Sequence, residues 1–98
     1  MSLPVVYIHE ARDDLNAVYA DYEAKLAGLG DRFLAAVRDG ISRFADAPML
    51  YGVVDQDVRA APLKRFPHII FYRVETDRTL IVAVQDGRRS WASWQGRV

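Results

Sequence analysis

The chain contains no cysteine. Disulfide bonds and thiolate chemistry are therefore excluded, and a cytoplasmic location is the default expectation. No apolar run approaches the roughly 20 residues that a membrane-spanning helix needs. The first residues also lack the basic stretch and apolar core of a signal peptide. We therefore expect a cytoplasmic protein without a membrane association.

Residues that commonly carry catalysis are few and poorly placed. The two histidines, His9 and His68, are far apart and have no acidic or histidine neighbour at ligand spacing on a predicted helix. The serines have no matching histidine and carboxylate for a triad, and there is no glycine-rich phosphate loop. The sequence therefore predicts no metal site, no cofactor and no nucleophilic hydrolase, and we interpret His68 as a structural residue.

A net charge of zero hides an uneven distribution of charge. Residues 1–57 carry five cations and ten anions, a net charge of −5, whereas residues 58–98 carry eight cations and three anions, a net charge of +5. This asymmetry favours an acidic partner on one side of the molecule. The alternative is that the arginines only decorate the edges of a sheet.

Two helices are predicted in the first half, after a short β-branched strand at residues 4–8. The first helix begins near Glu10 and ends at the glycines of residues 28–30. Its apolar stripe comprises Leu15, Val18, Tyr19, Tyr22, Leu26 and Leu29. The second helix has Asp31 as its predicted N-cap and ends before Pro48. The short connection predicts an antiparallel helical hairpin.

The second half is predicted to form most of the sheet. Residues 49–57 show no period and are interpreted as a loop, and residues 58–63 form a weaker strand. Residues 68–74 and 80–84 are β-branched runs separated by a short polar turn, which is typical of an antiparallel hairpin. The 98 residues suffice for one domain. The predicted fold is α+β, in the order β-α-α-β-β-β, with a helical hairpin on a mainly antiparallel four-stranded sheet and a short C-terminal helix.

Cations and indoles gather around the predicted hairpin. Lysine and arginine suit phosphate and carboxylate groups, and indoles stack on bases or fill partner pockets. This cluster comprises Arg59, Lys64, Arg65, Arg88, Arg89, Trp91 and Trp94. In a helix Trp91 and Trp94 share a face. The alternative for Trp94 is that it closes the open end of the core.

Order, spacing and length together resemble the RelE/ParE family of bacterial type II toxins. The resemblance rests on residues 58–59, 63–72, 81–89 and Trp94, with support from residues 28–30, Phe33 and residues 48–51. It implies a single toxin domain over residues 1–98. It also implies a plasmid stabilisation system in which a cognate antitoxin holds the toxin inactive, in a possible toxin–antitoxin hetero-oligomer.

The family divides by target. RelE-type members cut mRNA on the ribosome with basic residues and often a tyrosine, and the matching basic residues here are Arg59, Lys64 and Arg88. This chain departs from that set, with Trp94 in the place of the tyrosine, apolar Ile69 in the place of an arginine, and Asp86 where many relatives have histidine. ParE-type members bind and inhibit DNA gyrase. The sequence resembles them more closely, through Phe66, Pro67, Tyr72 and the terminal arginines.

The resemblance therefore implies a gyrase inhibitor that acts by binding, without an assigned catalytic residue. The expected target contacts are Arg88, Arg89, Trp91 and Trp94, flanked by Arg59, Lys64 and Arg65. The expected antitoxin contacts are Leu15, Tyr19, Tyr22 and Arg88. Two alternatives stay open: a metal-independent, ribosome-dependent mRNA endonuclease, and a family member without toxicity that only binds partners.

Overall fold

The computed structural model describes residues 3–89 and 92–97. The elements are β1 Val5–Tyr7, α1 His9–Lys25, α2 Leu29–Ala45, β2 Val53–Asp55, β3 Val58–Pro62, β4 His68–Val74, β5 Thr79–Asp86 and α3 Ala92–Gln95. One sheet has the strand order β1-β5-β4-β3-β2, in which β1 runs parallel to β5 and the other neighbours are antiparallel. The predicted α+β class is confirmed.

The sheet has five strands rather than the predicted four. The additional strand is β2, which lies within the segment that the sequence predicted as a loop and pairs antiparallel with β3. The connection consists of Gln56 and Asp57, whose φ angles are 52° and 63°. Two left-handed residues are the mark of a type I′ hairpin turn. The prediction was wrong because such turns usually contain glycine, and this one does not.

β5 is buried along most of its length, as its apolar residues on both faces predicted. It lies between β1 and β4, and all its residues except Asp86 are buried. The register shifts opposite β4, where Phe71 pairs with Ala83 and Tyr72 with Ile81. Val82 is therefore a bulge residue, and Val82 and Ala83 both pack into one core cluster.

The helical hairpin is confirmed, but its turn differs from the prediction. α1 begins at His9, and α2 begins at Leu29, before the predicted N-cap Asp31. The side chain that caps α2 belongs to α1 instead. Glu23 accepts hydrogen bonds from the backbone N–H of Gly28 at 3.2 Å and of Asp31 at 3.3 Å, which satisfies donors that a helix start leaves open. Within residues 3–89 and 92–97, no helix is both long and apolar enough to cross a membrane.

Gly30 lies inside α2 and does not end α1. A Cβ atom there would lie 2.8 Å from the carbonyl oxygen of Tyr19, so glycine permits the close approach of the two helices. Leu26, which the predicted apolar stripe included, is 57% exposed. It is the C-cap residue of α1 with extended backbone angles, so its side chain leaves the face that packs on the sheet.

Both faces of the sheet are covered. α1 and α2 cover the first face, where the core includes Leu15, Phe33, Phe44, Tyr72 and Ile81. The second face carries a smaller core of Val58, Phe71, Val82 and Ala83, against which Trp94 of α3 packs. The segment after β5 therefore forms a thin layer on the side opposite the helical hairpin.

Candidate functional site

The candidate surface begins where β5 ends. Arg88 binds Asp86 through its Nε at 2.9 Å and a terminal guanidinium nitrogen at 2.7 Å, and its backbone N–H also donates to that carboxylate. These hydrogen bonds hold the pKa of Asp86 well below its usual range. Even so, the Arg88 side chain is 85% exposed. The guanidinium is thus fixed in place at the surface.

The loop between β3 and β4 brings further cations to the same end of the sheet. His68 at the start of β4 lies opposite Asp86 at the end of β5. The backbone N–H of Gly87 donates to the carbonyl of Pro67 at 2.8 Å, which ties this loop to the segment after β5. Lys64, Arg65, Arg88 and Arg89 are all exposed there. We call these four residues the basic end.

Arg59 does not join the basic end. It lies five residues before Lys64 on an extended chain, a separation of roughly 15 Å. Its guanidinium donates to the carbonyl of Tyr51 at 2.6 Å and contacts the sulfur of Met49 at 3.0 Å. Arg59 thereby holds the segment that follows α2. The structure therefore does not bring together the three residues expected for a ribonuclease, which are Arg59, Lys64 and Arg88.

Trp94 does not lie on the surface where a target contact was expected. Its side chain is fully buried, and its ring centroid lies 5.0 Å from that of Phe71. The alternative interpretation, that Trp94 closes the core, is the one that the structure shows. The physical reason is that Trp94 packs against the smaller core of Val58, Phe71, Val82 and Ala83 on the second face of the sheet. Trp91, its predicted companion, lies outside the described residues.

The residues expected to contact an antitoxin turn largely inward. Leu15 is buried beneath α1, because it lies on the face of that helix that packs on the sheet. Tyr22 belongs to an aromatic cluster with Phe33 at 5.6 Å and Phe66 at 5.3 Å between ring centroids. Tyr19 is half-buried and its hydroxyl donates to Asp31 at 3.3 Å. Arg88 is the only one of the four that is largely exposed.

His68 occupies the same aromatic cluster. Its ring centroid lies 5.1 Å from that of Phe33 and 5.9 Å from that of Tyr22, and burial lowers its pKa. The neutral imidazole therefore acts as a packing residue. His9, in contrast, is exposed, and its Nε2 lies 3.3 Å from Asp13, one helical turn further along α1. The sequence did not predict this neighbour, because the predicted helix began after His9.

An open groove runs along the outer side of α2, a feature that the sequence analysis missed. Its volume is about 770 Å³, and its lining residues are Leu29, Arg32, Ala35, Ala36, Asp39, Lys64, Arg65 and Phe66. Asp39 is paired with Arg43. Within residues 3–89 and 92–97, no ion pair is recorded for Arg32, Lys64 or Arg65. The groove thus combines an apolar floor with a cationic rim. The adjacent small residues Ala35 and Ala36 were the one sequence signal for it.

The described surface offers groups that can bind an acidic partner. Over the part of the chain that the structure describes, no three histidine or acidic side chains form a group that could hold a metal ion. Ser42 donates to the backbone carbonyl of Asp39 and Ser93 to the side chain of Gln85. What the surface presents is a set of exposed guanidinium and ammonium groups beside an apolar groove, which suits acidic macromolecules.

The sequence places this chain among the toxins of type II toxin–antitoxin systems. The family model of the ParE toxin of the type II toxin–antitoxin system parDE matches residues 5–91, and the chain belongs to that family. A solved structure described as the chromosomal ParDE TA system from P. aeruginosa has a similar fold, with a TM-score of 0.76 and 17% sequence identity. The match covers 87% of this chain and 96% of that one. No curated protein matches the sequence.

Proposed function

We propose that this chain is the toxin of a toxin–antitoxin pair and inhibits DNA gyrase in the cytoplasm by binding it. The proposal rests on the basic end. This end consists of four exposed cations: Lys64 and Arg65 lie in the loop between β3 and β4, and Arg88 and Arg89 follow β5, which pairs with β4. Because Asp86 holds the Arg88 guanidinium in place, this cation meets a partner without first being ordered. Such preorganisation lowers the entropic cost of association.

Three observations favour binding over RNA cleavage. The RelE-type basic residues are divided between two places, since Arg59 holds the carbonyl of Tyr51. Trp94 has no acidic proton to give and is buried. Asp86 lies beside Arg88 and opposes the approach of a phosphate to that guanidinium. An inhibitor that acts by binding needs none of the groups that are missing.

Purified gyrase tests the proposal. Relaxed circular DNA, gyrase, ATP and the free toxin are incubated, and we expect supercoiling to stop and cleaved DNA to accumulate. The double variant Arg88→Ala/Arg89→Ala should raise the half-inhibitory concentration by tenfold or more, on the order of the loss at an interface hot spot. The matched control is Arg78→Ala, because Arg78 is also an exposed arginine paired with a carboxylate, Glu75, but lies in the β4–β5 turn.

Two results would contradict the proposal. One is unchanged supercoiling at high concentrations of the wild-type toxin. The other is an equal loss of inhibition in the Arg78→Ala control, which would show that general positive charge matters rather than the basic end. Primer extension on cellular mRNA after induction separates the ribonuclease alternative, because new cuts at ribosomal A-site codons would appear only for a RelE-type toxin.

We further propose that a cognate antitoxin neutralises the toxin by laying an acidic, amphipathic segment into the groove along α2. The apolar floor at Leu29 and Phe66 suits one face of such a segment, and Arg32 and Lys64 suit its carboxylates. This site replaces the expected one around Leu15, which is buried. Co-purification of the two proteins as a hetero-oligomer would support the proposal, and failure to co-elute would contradict it.

A partner-binding module without toxicity is the second candidate function, and one observation favours it. Asp86 neutralises much of the charge that Arg88 presents, and the whole chain has no net charge. Both features weaken long-range attraction to an acidic target. Strong expression without an antitoxin distinguishes the two functions: growth arrest supports the toxin, and unaffected growth supports the module.

A further inference from the structure

The outer edge of β5 is only partly covered by a neighbouring strand. β1 pairs with β5 up to Ile81, where the N–H of Ile8 donates to the Ile81 carbonyl at 3.0 Å. The chain then enters α1. Beyond that point β5 has backbone groups on its outer edge that no strand reaches, and unpaired backbone groups at a buried edge are costly.

Two side chains form hydrogen bonds with backbone groups at this edge of β5. Asp14 of α1 accepts a hydrogen bond from the backbone N–H of Val84 at 3.1 Å. Arg97 donates to the backbone carbonyl of Val82 at 3.1 Å. One donor and one acceptor of β5 are therefore satisfied by a carboxylate from α1 and a guanidinium from the segment after α3.

Asp14 and Arg97 also bind each other. Two guanidinium nitrogens of Arg97 lie 2.7 and 3.2 Å from the two carboxylate oxygens of Asp14. The side chains are 13% and 18% exposed. A bidentate pair in a partly desolvated site is stronger and more directional than an exposed pair. The two residues, 83 positions apart, form a latch between α1 and the end of the described chain.

We call the described residues after β5, which are 87–89 and 92–97, the arm. α3 within it has four residues, which is too short to be stable without tertiary contacts. The contacts that hold the arm include the burial of Trp94, a hydrogen bond from Ser93 to Gln85, a hydrogen bond from Gln95 to Asp55 at 2.6 Å, and the latch at Arg97. At its other end, Gly87 is tied to Pro67. Arg88 and Arg89 thus lie in the chain between this tie and the contacts of residues 93–97.

We propose that Arg97 is a positioning residue for target binding, in the latch with Asp14. By holding Asp14 and the Val82 carbonyl together, Arg97 keeps the arm on the sheet and presents Arg88 and Arg89 in one orientation. The role of the latch in inhibition rests on the proposed function; its role in ordering the arm does not. An arm ordered for only a tenth of the time lowers apparent target affinity about tenfold.

The test compares Arg97→Ala and the milder Arg97→Lys with the control Arg78→Ala. In the gyrase assay we expect Arg97→Ala to raise the half-inhibitory concentration about tenfold. Arg97→Lys, which keeps the charge but has no fork of donors, should be intermediate, and the control unchanged. Antitoxin affinity should stay at the wild-type level for all variants, since the groove lies along α2 and not on the arm.

A second measurement reports on the arm alone. In a Trp91→Phe background Trp94 is the only indole, because the chain has two tryptophans. Acrylamide should quench its fluorescence more in Arg97→Ala than in the parent, and Asp14→Asn should show the same change. Asp14→Asn keeps an oxygen for the Val84 N–H, so its effect isolates the lost ion pair.

The outcomes separate the two proposals. If wild-type toxin leaves gyrase unaffected, the proposed function fails, and the quenching result alone decides whether the latch orders the arm. Unchanged quenching in both Arg97→Ala and Asp14→Asn would overturn the inference. So would losses of gyrase inhibition and antitoxin affinity in the same proportion in Arg97→Lys, because that pattern indicates general unfolding rather than a misplaced arm.

Discussion

The rings of Phe44 and Tyr72 are stacked face to face, with 4.0 Å between their centroids and 4° between their planes. Phe44 is near the end of α2, and Tyr72 is on β4. The Tyr72 hydroxyl also donates to the carbonyl of Pro48 at 2.7 Å. A single tyrosine thus joins the second helix, the sheet and the segment that leads into β2.

Replacement of Tyr72 by phenylalanine tests this junction. The ring remains, but the Pro48 carbonyl loses its donor, so we expect the free energy of unfolding to fall by about 1 kcal/mol. Urea denaturation monitored by circular dichroism measures the change. Tyr7→Phe is the control, because within residues 3–89 and 92–97 no hydrogen bond of the Tyr7 hydroxyl is recorded. An equal loss in both variants would contradict the role of the Pro48 contact.

Alanine at Gly30 should destabilise the protein, although alanine normally favours a helix interior. The added Cβ would lie 2.6 Å from Cγ of Glu23 and 2.8 Å from the Tyr19 carbonyl oxygen. The helices must then move apart, and we expect a loss of about 1–3 kcal/mol. At Gly52 a Cβ meets nothing within 4 Å, so Gly52→Ala should be neutral or stabilising. Thermal unfolding of both variants measures the difference, and a stabilised Gly30→Ala would refute the close contact.

His68 predicts a pH dependence of stability. Burial lowers its pKa in the folded state, so the folded protein favours the neutral imidazole. The stabilising contribution is therefore complete above the unfolded pKa of about 6.5 and is lost as the pH falls below it. Wild-type protein should lose stability between pH 7 and pH 5, and His68→Phe should lose less. Urea denaturation at several pH values measures this, and an equal loss of stability in wild-type protein and His68→Phe would contradict the role of His68.

Charge reversal at Arg32 tests whether the antitoxin binds in the groove along α2. Arg32→Glu places an anion against the acidic segment that we propose for the antitoxin, so affinity should fall by tenfold or more. Arg38→Glu is the matched control, since Arg38 is exposed on the same helix and does not line the groove. Calorimetric titration should show a difference between the two variants that shrinks at high salt. Equal weakening in both would place the antitoxin elsewhere.

The sequence predicted the elements that depend on local pattern. The hairpin of β4 and β5 follows from two β-branched runs, and the helical hairpin follows from apolar positions three and four residues apart. β2 was missed because Gln56 and Asp57 adopt a turn that their residue types do not signal. The helix cap was missed because its acceptor, Glu23, belongs to the preceding helix.

The candidate site was less predictable, because its parts come from different elements. Helical spacing places Trp91 and Trp94 on one face but does not tell whether that face meets the sheet or a partner. The groove is lined by residues of α2 and of the β3–β4 loop. The pair of Asp14 and Arg97 spans 83 positions and has no sequence pattern. Composition did indicate the basic half, in which Lys64, Arg65, Arg88 and Arg89 are exposed; their contact with a target stays a prediction.

The parallel pairing of β1 with β5 has a consequence for folding during translation. The first strand has no partner until residues 79–81 have been made, whereas the helical hairpin depends on local contacts. Translation delivers the N-terminal part first, so the sheet closes only after almost the whole chain has left the ribosome. A product that stops before β5 lacks both the partner of β1 and the cations at Arg88 and Arg89. Such a product therefore cannot close the sheet.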